Sequence, residues 1–260
     1  MEPGFQNIVI RERSQADLAD LTLRVIRKHA GPLFVCLLIG ILPFILLNGW
    51  LTYEYIVDWG DYDAELWPFL WITTLLTLIE APFATCLVTL YLGHWMFVGR
   101  PRKIMLLEAF LETLPQMLFY QAFLRPFFIL HVFMPEVILL ERTRIRPRDG
   151  RVSTFKRNRM LHWNELGNLF GLRVICYSFG AGLIGCWLVI AFYAAPFVIG
   201  SYFPPEQWLP WLYAFLLWLM AGLFAVYRFL CYLNVRIRHE GWELDLVMKA
   251  EKLKLTGGRS

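Results

Sequence analysis

Residues 123–148 read FLRPFFILHVFMPEVILLERTRIRPR: an Arg-Pro pair, an apolar run, then a dense basic segment. How this run meets a bilayer decides the topology of everything around it. A basic cluster stands before it at Arg100, Arg102 and Lys103. A larger one follows at Arg142, Arg144, Arg146, Arg148, Arg151, Lys156, Arg157 and Arg159. A single crossing would put one cluster outside, against the excess of Lys and Arg that cytoplasmic loops carry. An even number of crossings removes the conflict. Segments of about 105–122 and 126–141 are therefore expected to form a short hairpin that turns near Arg125-Pro126. Proline resists helix continuation and pushes the residue before it out of the α region. Glu108, Glu112 and Pro115 make the first arm a poor span, so a re-entrant hairpin stays open beside a full crossing.

Composition places the rest of the chain in the same solvent. It is 58% hydrophobic and 18% charged, whereas a soluble domain has about 45–50% apolar and about 25% charged residues. Aromatics reach 17%, with 11 Trp, which suits rings at two membrane interfaces. The net charge of +4 lies between apolar runs. There it orients the chain against anionic headgroups, and no nucleic acid is expected as a partner. The five cysteines all lie in apolar runs without a C-x-x-C, so neither disulfides nor a metal site are expected.

The pattern predicts an all-α, polytopic helical bundle of about six membrane segments, both termini cytoplasmic. Residues 1–29 form a cytoplasmic segment, 30–235 the transmembrane domain and 236–260 an amphipathic cytoplasmic tail. In the first, Ser14 and Asp17 resemble a capping box, and Leu18, Leu21 and Val25 share a face. An amphipathic helix lying on the membrane follows. No cleavable signal is read, so the first span, about 30–52, should stay as an anchor, kinked at Pro43. A second span covers about 67–98; after the hairpin come about 171–200 and about 208–235. Gly180, Ala181, Gly182 and Gly185 give the penultimate span a smooth face for close packing. The expected outer loops hold Glu54, Asp58, Asp61, Asp63, Glu65 and Glu206 and no Lys or Arg.

Pro135 and Glu136 in MPEVILLER, then NELGNLFGLRV opening the next span, and YRFLCYLNVRIRHEGWELDL at the tail carry a resemblance. The layout resembles the six-span membrane domain that accompanies some bacterial glycerophosphodiester phosphodiesterases, and related inner-membrane families. The resemblance implies a multi-pass protein of the bacterial cytoplasmic membrane. The phosphodiesterase activity of such proteins belongs to a separate soluble barrel with no counterpart here, so it is not carried over.

Ionisable groups within spans are functional candidates. They are Glu80, Arg125, His131, Glu136 and Arg228. One reading is a polar pathway in which Glu80 titrates against Arg125 or His131; the other is a structural pair locking helices together. Arg142, Arg144, Arg146, Arg148, Lys156, Arg157 and Arg159 are expected to touch lipid headgroups or a protein partner. No catalytic motif and no cofactor site is read. The expected function is a non-catalytic membrane subunit or scaffold with a basic cytoplasmic face. The alternative is a transporter or channel for a small solute or lipid.

The charge pattern generates a topology test. Single cysteines at 58–63 should be labelled from outside in intact cells, and those at 146–156 only after the membrane is opened. Labelling of 146–156 in intact cells would remove the even-crossing argument.

Overall fold

A computed structural model describes residues 14–53, 66–97, 103–121, 133–141, 153–162, 166–198 and 205–240. Arg125, His131, Arg142, Arg144, Arg146, Arg148 and the tail after 240 lie outside them. The described residues form eight helices and no strands.

The first helix, α1 (Gln15–Leu51), opens on a true capping box. The Ser14 hydroxyl accepts from the Asp17 N–H at 3.2 Å, and the Asp17 carboxylate accepts from the Ser14 N–H at 3.3 Å. Its first four turns form an arm that ends in a kink at His29 (φ −120°, ψ 24°), three residues before Pro32. Proline there cannot donate to the Lys28 carbonyl, and its ring crowds that turn. Pro43, the expected kink, stays inside helical backbone. The arm was expected on the membrane surface; instead its apolar face, Leu18 and Val25, is buried against the bundle. At its start the Tyr227 hydroxyl donates to Gln15 Oε1 at 3.1 Å. At its end the His29 ring packs on Trp95, centroids 4.1 Å apart.

The second expected span is one apolar segment, Pro68–Met96, made of α2 (Leu66–Ala84) and α3 (Cys86–Phe97) with a local irregularity at Thr85, across which Thr85 N–H still donates to the Ala81 carbonyl at 2.9 Å and Thr89 N–H to the Thr85 carbonyl at 3.1 Å. Pro82 is the cause: it has no N–H for the Leu78 carbonyl. The neighbouring Ile79 carbonyl accepts a bond from the Gln121 side-chain amide, which satisfies part of the loosened turn. α1 crosses at this irregularity. A Cβ on Gly40 would overlap the Ala84 carbonyl oxygen and lie 3.1 Å from its carbon. Only glycine permits so close an approach of two backbones.

The middle of the chain supplies α4 (Lys103–Phe119), α5 (Met134–Glu141) and α6 (Thr154–His162). Long helices follow, α7 (Leu166–Val198) and α8 (Pro205–Glu240). α8 continues past the expected boundary at 235. Four segments are long and apolar enough to cross a membrane: Gln15–Leu51, Pro68–Met96, Cys176–Ala194 and Trp208–Arg238. The described parts of the expected hairpin, 103–121 and 133–141, are not among them, and 126–132 of its second arm lie outside the described residues. α5 has eight residues, a rise of about 12 Å against about 30 Å of hydrocarbon. It is a core element: Met134, Glu136, Val137 and Ile138 have no exposed surface. Conversely, Leu42, Leu46, Trp50, Trp71, Leu75 and Val189 point outward, as lipid-facing positions must.

Gly40→Ala should therefore force α1 off the α2–α3 irregularity and cost about 1–3 kcal/mol. Gly49→Ala, with no atom within 4 Å of the new methyl, should be neutral or gain up to ~1 kcal/mol from helix propensity. Thermal unfolding of both variants in one detergent checks the contrast. Equal melting temperatures would show that the crossing tolerates a side chain.

Candidate functional site

α5 brings a carboxylate into the protein interior at each end. Glu136 sits in its first turn, where the helix dipole favours negative charge. Its side chain is 0% exposed, and Oε1 accepts from Arg228 Nε of α8 at 2.5 Å. Sequence reading had singled out both residues without joining them. Glu141 at the other end gathers three partners. Arg157 of α6 donates through Nε at 2.7 Å and Nη2 at 3.2 Å. The Tyr232 hydroxyl donates at 2.7 Å, and Arg236 Nη1 stands 3.6 Å away. Arg157 is thus turned inward, correcting its expected role at lipid headgroups: a buried carboxylate competes better for it than water does. Lys156 and Arg159 remain exposed on α6.

Arg228, Tyr232 and Arg236 recur at four-residue steps, one face of a helix. That spacing was visible in the sequence, and so was Glu141. What no local pattern could supply is that the stripe faces α5.

Glu80 forms a separate polar centre. It is 6% exposed and accepts from Asn48 Nδ2 of α1 at 2.8 Å. Arg125 and His131, the partners suggested by the sequence, lie outside the described residues. Asn48 was missed, although an Asn within LLNGW is itself a polar residue in an apolar run.

Between α2, α7 and α8 lies a cleft of about 540 Å³. Tyr213 and Cys231, both on its wall, are 18 residues apart on α8, which is about 27 Å of helix. The cleft therefore runs for most of the thickness of a hydrocarbon layer. At one end the Tyr213 hydroxyl meets Thr74 Oγ1 at 2.5 Å; at the other stands Arg228. The small residues of α7 divide in role. Gly180 packs on α8, where a Cβ would come within 2.9 Å of Phe224 Cζ. Gly185 faces the cleft and has open space beyond it.

Comparison with family models, curated proteins and solved structures finds no match to this chain.

Removing one member of a buried ion pair leaves the other uncompensated. Arg228→Met should cost about 3–5 kcal/mol, and adding Glu136→Met should recover most of it. Chemical unfolding of the single and double variants in detergent checks this. A double variant no better than the single would show that the two charges are not coupled.

Proposed function

We propose that the protein is a non-catalytic, multi-pass membrane protein that takes one lipid-like molecule into the cleft between α2, α7 and α8. The observation that carries this reading is the cleft's shape and lining. It is long and apolar along its length, through residues such as Leu188, Leu217, Met220 and Phe224, and polar at both ends. An acyl or prenyl chain matches that profile, and pockets of this size bury a ligand of that kind. α7 packs mainly on α8 among the described residues, which makes it the wall best able to move.

The same reading places both termini and the basic run at 142–159 on the cytoplasmic side of a bacterial inner membrane. The support is the charge asymmetry together with the resemblance of the layout to bacterial inner-membrane families. Four crossings, with 103–141 entering and leaving on one side, satisfy that asymmetry. A second reading, a scaffold that holds a protein partner on its basic face, is favoured by the exposure of Lys156 and Arg159 beside that run.

Mass spectrometry of the purified protein, released from detergent, tests the first reading. It should carry a retained chain-bearing molecule, and Gly185→Leu should lower that occupancy several-fold without lowering the melting temperature. A parent protein that carries nothing through purification in mild detergents would overturn it.

A further inference from the structure

We infer that Arg228 receives the polar end of the molecule held between α2, α7 and α8, and that this end is an uncharged oxygen acceptor, the carbonyl of an ester or amide, and not an anionic headgroup. The inference rests on the reading of the cleft as a lipid site, and it gives that lipid an orientation and a chemical class.

Arg228 is the one charged side chain among the described residues that line the cleft. Its side chain is 18% exposed. A guanidinium carries five N–H donors. Only Nε is used within the described residues, on Glu136 Oε1. Nη2 is buried without a partner. An unmet donor costs more on a charged group than on a neutral one. The other polar groups of the wall are mostly engaged. Tyr213 is on Thr74, Thr85 donates to the Ala81 carbonyl at 2.7 Å, and Tyr227 donates to Gln15 at 3.1 Å. Thr77 Oγ1 is the other unpartnered atom on this wall. A bond from a charged donor is roughly twice as strong as one from a neutral hydroxyl, so Arg228 is the better seat for an acceptor.

Helix geometry sets the orientation. Tyr213, Leu217, Met220, Phe224 and Arg228 all line the cleft and follow one face of α8. Arg228 is 15 residues from Tyr213, about 22 Å along the helix. With the polar end at Arg228, the chain lies over Phe224, Met220 and Leu217.

Charge selects the class. Arg228 and Glu136 already balance each other, and Glu136 has no exposed surface on which water could screen it. An anion at Arg228 would set a second negative charge beside Glu136, and the wall holds no other charged group to offset it. A carbonyl oxygen meets the spare N–H groups and adds no charge. A pure hydrocarbon fills the cleft and leaves those donors unmet.

Three probes with matched chains test this at one alkaline pH: methyl oleate, an ester; oleate, ionised there; and octadecene, which has no oxygen. The purified full-length protein is stripped of retained lipid, and its melting temperature is followed as each probe is added. A molecule bound only by the folded state raises it. Methyl oleate should act at roughly tenfold lower concentration than octadecene, the gain expected from one hydrogen bond to a charged donor. Oleate should not outdo octadecene. In the double variant Arg228→Met with Glu136→Met, methyl oleate and octadecene should become equal while the response to octadecene persists. Gly185→Leu should abolish the response to all three. Equal action of methyl oleate and octadecene on the parent protein would overturn the inference and leave the lipid reading of the cleft standing. A stronger response to oleate would overturn it as well, making the headgroup an anion. No response to any probe, or a response that survives Gly185→Leu, would overturn both. The comparison on the parent protein decides the matter even if the double variant does not fold.

Discussion

The contact between Arg228 and Glu136 sets how α5 and α8 meet. Two charges cannot leave water cheaply, and their mutual attraction repays the cost only with good geometry and few alternatives. Glu136 has no exposed surface and a short bond to Arg228 Nε. Its place in the first turn of α5 adds the favourable end of a helix dipole. The pair is better understood as a register than as a source of stability. Well-packed apolar side chains would hold two helices together equally well, but they would not say which turn of α8 meets which turn of α5. Tyr232 and Arg236, the next two turns of α8, then fall on Glu141 without further choice. Arg157 closes the same carboxylate from α6, so one eight-residue helix is held at both ends.

This fixed contact has a looser counterpart. Earlier turns of the same side of α8, at Leu216, Met220 and Phe224, meet α7. The contact there is a small apolar cluster, Ile184 with Leu216 and Met220, and the seat of Phe224 on Gly180. Among the described residues this seam is apolar, with no ion pair across it. Small residues let the helices touch at Gly180 and leave space at Gly185, which creates the cleft. Arg228 takes part in both, pairing with Glu136 and standing on the cleft wall. A slip of one turn in α8 would carry Tyr213 away from Thr74 and Arg228 away from the cleft's other end.

Local chemistry in this chain could be read from its letters. The capping box at Ser14 and Asp17 formed as its spacing demands. Apolar runs of sufficient length became helices able to cross. Glu80, Glu136 and Arg228 stood out because a charge in an apolar run is costly wherever it ends up. The pairings were not legible, since Glu136 and Arg228 are 92 residues apart and nothing local ties them. Proline showed a similar limit. Pro32, Pro43 and Pro82 carry the same intrinsic penalty, yet only the first and last coincide with irregular backbone. Pro43 lies between two clamps, Gly40 on Ala84 and Asn48 on Glu80, that hold α1 along a fixed line. Tertiary contact there outweighs the ring's tendency to bend the helix.

The stretch from 103 to 141 shows why charge counting gave an answer and still left the shape open. Basic clusters at both ends of a segment suit one that begins and ends on the same side of a membrane. Two crossings satisfy that, and so does none. A hairpin that crosses fully would show lipid a continuous apolar face on both arms. α5 instead hides Met134 through Leu139 and puts its two carboxylates on Arg228 and Arg157, side chains of α8 and α6. Charges and irregular backbone survive at membrane depth only where protein covers them. α5 is covered in this way, so its place is within the bundle and not among the helices that line its outside.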